Sequence, residues 1–345
     1  MSADYVVDFP TLAHLQDAWV QAHCSIPTGH HKGEPFVSAD WQFYCTAQHY
    51  RVRPKAKWIP ENPLRSTAFV YRRSLIVGPQ KCGKGPWSAT IVCIEAVGPS
   101  LFAGWAEDGE VYRCADHGCD CGFEHEYRAG EPKGMPHPSP LIQLTATSED
   151  QVDNVYDPLK TMIRNGPLSE LMAIREGFIR LPGDECRIDV VTASANSRLG
   201  NPITFVLQDE NGLYTKENKM IKVASTQRRG VAGMQGRSIA TTNMWDPAEN
   251  SDAQQTFEGT VKDVFKFLRT PPAGLSWNNK RDRRKILRYV YDGCSWIELD
   301  AIDAEAMDLM QTNPAEAQRF YGNMKVSGMG AWLPDGLWES AYARA

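Results

Sequence analysis

Three short runs carry the residue types that phosphate chemistry requires. The first is GPQKCGKG, Gly78–Gly85, in which Gly78, Gly83 and Lys84 have the G-x-x-x-x-G-K spacing of a phosphate-binding loop. Glycines in such a loop let backbone N–H groups close around phosphates, and the lysine reaches the terminal phosphates. Pro79, Gln80, Lys81 and Cys82 fill the loop. The next position normally offers a hydroxyl to Mg2+, but here it is Gly85. The second run, ITFVLQDE, is apolar and ends in Asp209 and Glu210. An Asp at that point suits Mg2+, usually through water, and the Glu orients and activates an attacking water. The third run is ATTN, where Thr241, Thr242 and Asn243 end another apolar stretch and a polar residue can sense a γ-phosphate. Each run has a plain alternative: a glycine-rich turn, a strand ending in solvated acids, a strand-to-turn transition capped by Asn243. In this order, together, they point to ATP hydrolysis.

Such a site needs a strand before the loop and a helix after it, with the helix N-terminus aimed at the anion. TAFVYRRSLIVG (67–78) is β-branched and aromatic and reads as a buried strand. PWSATIVCIEAV (86–97) reads as a helix with Pro in its first turn. PLIQLTAT (140–147), RIDVVTAS (187–194), ITFVLQDE (203–210) and SIATTNMW (238–245) are further strand candidates. SEDQVDNVYDPLKTMI (148–163) reads as a helix, with Ser148 and Gln151 at capping-box spacing. Alternating strands and helices imply an α/β fold with a mostly parallel sheet covered on both faces. Residues 1–65 are rich in Pro and aromatics and read as irregular, with short helices at best. The expected division is an N-terminal segment 1–65, a core 66–248 with an insertion at about 104–138, and a more helical, polar subdomain at 249–345.

The insertion contains YRCADHGCDCGFEHEY, which groups Cys114, His117, Cys119, Cys121 and His125 within twelve residues. Thiolates and imidazoles suit tetrahedral Zn2+. The expected ligands are Cys114, His117, Cys119 and Cys121, and the ion would be structural, stapling a loop with few apolar residues. The alternative is a loop with free thiols.

The 345-residue chain is 42% hydrophobic and 23% charged, ordinary for a globular protein. Nine cysteines, mostly scattered, argue for reduced thiols. No segment has the roughly 20 apolar residues of a membrane span, and the start lacks a signal-peptide pattern, so a cytosolic protein with no membrane partner is expected. A net charge of −5 excludes a general polyanion binder, though HYRVRPKAKW (49–58) and NKRDRRKILR (279–288) are local basic runs.

The ordered motifs resemble the large terminase subunits of tailed bacteriophages, motors that package DNA into procapsids. EPFVSADWQ (34–42) looks like the family's segment upstream of the loop, in which a Gln contacts adenine; here that is Gln42. Lys81 matches the basic residue early in the family's variant loop. SANSRLGNPITFVLQDE looks like the stretch before the acidic pair, with Arg198 at the position of an arginine that acts on the neighbouring subunit's nucleotide. ATTN is similar to the family's coupling motif, and NPAEAQRFYGNMKVSGMGAWLP (313–334) to the segment leading toward a nuclease domain.

The resemblance implies a P-loop NTPase of the additional-strand, catalytic-Glu type with a small C-terminal lid. It implies ATP and Mg2+ as cofactors, Glu210, Arg198 and Lys84 as catalytic residues, and coupling through Thr241, Thr242 and Asn243 to the lid. Implied partners are double-stranded DNA held by its backbone, a portal protein, a small terminase subunit and further copies in a ring, acting in the host-cell cytoplasm during virion assembly. Two departures stand out. Gly85 lacks the metal-binding hydroxyl, for which Ser88 or a water would substitute. After residue 300, Asp300, Asp303, Glu305 and Asp308 have helical spacing rather than a nuclease cluster, so ATPase without nuclease activity is expected. The rival readings are a helicase or remodelling ATPase and a non-catalytic assembly protein with a decayed loop.

Overall fold

The runs expected as strands line up side by side in one sheet. The computed structural model describes residues 5–61, 66–192 and 202–328. Two N-terminal helices come first, α1 (Ala13–His23) and α2 (Asp40–His49). Strand β1 (Arg73–Val77) leads into α3 (Lys84–Val97). The insertion then supplies four short strands, β2 (Leu101–Trp105), β3 (Val111–Arg113), β4 (Glu124–Glu126) and β5 (Pro132–Met135). Next come β6 (Leu141–Thr145), α4 (Glu149–Arg164), α5 (Leu168–Leu171), β7 (Ala173–Arg175), β8 (Phe178–Arg180) and β9 (Arg187–Val191). Then follow β10 (Phe205–Asp209), α6 (Met220–Gly233), β11 (Arg237–Thr242), α7 (Asp252–Glu258), β12 (Val264–Leu268), α8 (Lys280–Val290), α9 (Leu299–Thr312) and α10 (Pro314–Gly322).

The main sheet has eight strands in the order β12-β1-β11-β10-β6-β9-β8-β7. The first six run parallel; β8 and β7 turn back antiparallel at one edge. This is the mostly parallel α/β sheet expected of a P-loop NTPase, with β11 as the additional strand between β1 and β10. Strand β10 is buried along its whole length, as a central parallel strand must be. Its burial also explains why it reads as a continuous apolar run rather than an alternating one.

The N-terminal segment departs from the expectation of irregular chain. Helix α1 has 11 residues and α2 has 10, and both contribute to the core through Leu15, Trp19, Trp41 and Cys45. Aromatic residues and prolines mask the helical period there. Segment 249–328 is not only helical, because β12 pairs with β1 at the sheet edge.

At the end of the sheet opposite the loop, where β11 begins and α3 ends, lies a buried ionic network. Arg237 bonds Glu95 of α3 at 3.1 Å and the His49 carbonyl at 2.9 Å. The Tyr50 hydroxyl donates to the same Glu95 oxygen at 2.6 Å. Burial raises the Glu95 carboxyl above the usual carboxylate range, and the Arg237 charge and these bonds oppose that rise. Arg237 also stacks over Phe69 and Tyr50, at 3.9 and 4.4 Å from their ring centres.

Candidate functional site

In a parallel sheet, ligands gather beyond the carboxyl ends of the strands. Here three adjacent strands deliver the three motifs to one edge. Strand β1 ends at Val77 and opens into the loop, β11 ends at Thr242, and β10 ends at Asp209. The register fixes who meets whom: Val77 lies opposite Thr242, and Asp209 opposite Thr241.

The loop backbone is strained where it must curl. Lys81 has φ 67° and Gly83 φ 96°, both in the left-handed region. Lys84 then begins α3, and its ammonium is buried. It donates to the Gly78 carbonyl at 3.0 Å, the Pro79 carbonyl at 2.9 Å and Asn243 Oδ1 at 2.8 Å, a full complement for three hydrogens. The loop and the ATTN segment are thus joined directly.

The acidic pair is wired to the same motif. The Thr241 hydroxyl donates to Asp209 at 2.6 Å. Glu210, at φ 51°, accepts from the Thr242 hydroxyl at 3.4 Å and the Asn243 N–H at 3.3 Å. Burial pushes the Asp209 carboxyl up to about 7, with the Glu210 charge adding to the rise. A buried carboxyl beside a second acid gains most from a hard divalent cation, and oxygen donors are what Mg2+ takes. A cavity of about 460 Å³ opens beside Glu210, Thr242 and Asn243, walled farther out by Trp245, Asn313 and Arg319.

Gln42 of α2 also reaches the loop, although it lies 41 residues away in sequence: its Nε2 donates to the Gly83 carbonyl at 3.3 Å while its Oε1 accepts from the Ala39 N–H at 2.9 Å. Arg198 lies outside the described residues.

Gly85 has a packing reason. A Cβ there would sit 2.4 Å from the Asn154 carbonyl oxygen of α4. Helix α4 contains Pro158. Pro158 has no N–H to give to the carbonyl four residues before it, which is that of Asn154. The freed carbonyl comes up against α3, and only glycine leaves room. Ser88, one turn later, is buried, and its hydroxyl has no hydrogen-bond partner among the described residues. We expect Gly85→Ser, which would restore the usual motif, to destabilise the fold by about 1–3 kcal/mol, as overpacking against backbone does. Equilibrium urea unfolding measures this, and an unchanged midpoint would sink the packing account.

Contacts from the C-terminal segment were not legible beforehand. The Tyr291 hydroxyl donates to the Gln80 carbonyl at 2.7 Å, and Trp296 Nε1 donates to the Lys81 carbonyl at 3.3 Å. The Gln80 N–H donates to the Phe320 carbonyl at 2.7 Å, and the Cys294 thiol meets the Cys82 carbonyl at 3.5 Å. Trp296 lies over Gly83, where a Cβ would approach it to 2.6 Å. The post-300 acids sit on α9, where Asp303 pairs with Arg283 at 2.5 Å and Asp300 pairs with Arg284. Those bonds tie α9 to α8.

The thiols of the insertion converge with a partner the sequence reading did not choose. Cys114, Cys119 and Cys121 surround His23 of α1, and their ligand atoms all lie within 4.8 Å of one another. His117, the histidine expected in that set, instead stacks on Tyr112 with ring centres 4.9 Å apart. Its place in a short 3-10 turn right after Cys114 carries it to that ring.

No family model matches the sequence. The Gene 13 protein of Mycobacterium phage D29 is 25% identical over 339 residues, which is 89% of this chain and 51% of that protein. The Gene 13 protein of Mycobacterium phage L5 is 23% identical over 300 residues, 78% of this chain and 47% of that protein. The chain therefore spans about half the length of the curated relatives it matches. Among solved structures, the HK97 bacteriophage large terminase superposes with a TM-score of 0.61 at 14% identity, over 91% of this chain and 55% of that one. At that identity the likeness shows the fold, and the fold is the one the terminase-like motifs imply.

Proposed function

We propose that the chain is the ATP-hydrolysing part of a viral packaging motor that drives double-stranded DNA into a procapsid. One observation carries this reading: Lys84, Asp209, Glu210 and Thr241–Asn243 meet at the carboxyl ends of three neighbouring parallel strands, bonded to one another. The loop Gly78–Gly85 holds the phosphates with its N–H groups, and Lys84 and Lys81 supply positive charge. Binding of a phosphate draws the Lys84 ammonium away from loop carbonyls it now satisfies. Asp209 would hold Mg2+ through water, and bound Mg2+ supplies charge neutralisation on the phosphate oxygens. Glu210 orients the attacking water and accepts its proton. Gln42 lies on the adenine side. Thr241, Thr242 and Asn243 respond to what the acids and Lys84 hold, because each bonds to one of them.

Arg198 is the residue proposed to reach a neighbour's γ-phosphate in a ring of copies. The portal, the small terminase subunit and the host-cell cytoplasm belong to the same reading. DNA would be held by backbone phosphates, with strong salt dependence. Helix α8 supports this with Lys280, Arg281, Lys285 and Arg288 exposed on one element. Among the described residues no helix is long and apolar enough to cross a membrane. Packing against Asn154 accounts for Gly85 without a decayed loop.

The test is Mg2+-dependent ATP hydrolysis across a wide range of protein concentration, beside a Lys84→Ala control. Turnover should rise faster than linearly with concentration and vanish in the control. Turnover that survives Lys84→Ala would overturn the assignment of the loop.

A further inference from the structure

We infer that the chain holds one structural Zn2+ on His23, Cys114, Cys119 and Cys121, and that this ion fastens the insertion to the N-terminal helix. The nitrogen-to-sulfur spacings are close to those of a tetrahedral site. Zn–S bonds of about 2.3 Å and a Zn–N bond of about 2.0 Å at tetrahedral angles put sulfur and nitrogen about 3.5 Å apart. The three sulfurs lie 3.5, 3.6 and 3.1 Å from His23 Nε2. All four ligand atoms lie within 4.8 Å of one another.

The surroundings fix the ligands in their coordinating forms. His23 Nδ1 is 2.7 Å from the Trp19 carbonyl. A carbonyl only accepts, so Nδ1 carries the hydrogen and Nε2 offers its lone pair to the thiols. A carbonyl on the far nitrogen is the usual device for orienting a metal-binding imidazole. The ring is also clamped by Trp19, stacked at 4.2 Å, and by Phe123, edge-on at 5.7 Å. The Phe123 N–H donates to Cys121 Sγ at 3.4 Å, as amides around metal thiolates do. Cys114, Cys119 and His23 are almost fully buried.

The insertion needs such a fastener. Its strands form two separate two-stranded sheets, β2-β5 and β3-β4, and β3 and β4 have three residues each. Two-stranded ribbons of that size are marginal alone. All nine cysteines are free, so no disulfide closes the loop. His23 sits at the end of α1, 91 residues before Cys114, so an ion bound here ties two remote segments. Binding replaces the protons of three thiols and adds its free energy to that of folding.

The test is metal content of the full chain, purified without chelator, by elemental analysis and native mass spectrometry. One zinc per chain is expected, retained in His117→Gln. His23→Gln should lower zinc affinity more than about 100-fold, beyond what loss of an outer partner costs. A zinc-free native chain that binds no added Zn2+ overturns the proposal, as does loss of zinc in His117→Gln but not in His23→Gln. Should His23→Gln fail to fold, Co2+ added to the metal-stripped native chain decides. One equivalent giving the intense visible bands of tetrahedral thiolate cobalt supports the site, and a pale octahedral spectrum removes it.

Discussion

Glu210→Gln is expected to slow ATP turnover by about 10²–10⁴-fold, the range that a positioned general base contributes, while ATP binding persists. The substitution is nearly isosteric. Glutamine still presents an oxygen to the Asn243 N–H and the Thr242 hydroxyl, which Glu210 now engages at 3.3 and 3.4 Å. The connection between β10 and β11 therefore survives, and the loop is held by bonds of Lys84 that the substitution leaves in place. What is lost is a carboxylate able to take a proton from water. Steady-state kinetics beside calorimetric ATP titration separates the two effects. Turnover within about tenfold of native, below that range, would mean that another group serves as base. Lost ATP binding would mean that Glu210 shapes the pocket rather than the reaction.

Arg237→Met is expected to destabilise the fold by about 3–5 kcal/mol, the cost of stranding one member of a buried ion pair. The stranded group is Glu95, buried in the last turn of α3, at the end of that helix away from the loop. Its carboxyl is already raised by burial despite Arg237. Without Arg237, only the Tyr50 hydroxyl among the bonds described above remains to it. The stacking over Phe69 and Tyr50 is lost as well, though methionine recovers part of that contact. Adding Glu95→Leu should recover much of the loss, because two apolar replacements leave no buried charge. Denaturant midpoints at constant m-value measure all three variants. A single-variant loss below about 1 kcal/mol, the size of an exposed pair, would show that water reaches Glu95.

The meeting of the three motifs was legible because each of them is a local pattern. GPQKCGKG, the acidic pair and ATTN each announce themselves within eight residues, and the central strands are long apolar runs. Strand register then brings them together with no further information needed. Other parts rest on contacts over long separations. Trp296 meets Lys81 across 215 residues, and nothing near Trp296 marks it. The three clustered cysteines did signal a missing fourth ligand. The nearer His117 filled that place in the sequence reading, because proximity along the chain is the only distance a sequence offers. Strand β12, VFKFL, was hidden inside a polar, helix-rich stretch. Helices α1 and α2 were hidden by their own aromatics, which bury on several faces.

On the proposed function, the bonds from Tyr291, Cys294 and Trp296 to three successive loop carbonyls would make the C-terminal segment a mechanical partner of the nucleotide. Linkage between two equilibria is reciprocal. If nucleotide makes these bonds harder to break by some factor, then a pull that breaks them weakens nucleotide binding by the same factor. A load applied to helices α8–α10 would therefore be felt as a change in apparent ATP affinity, with no separate sensor between the two. The stiffness of that transmission would be set by the loop's own carbonyls.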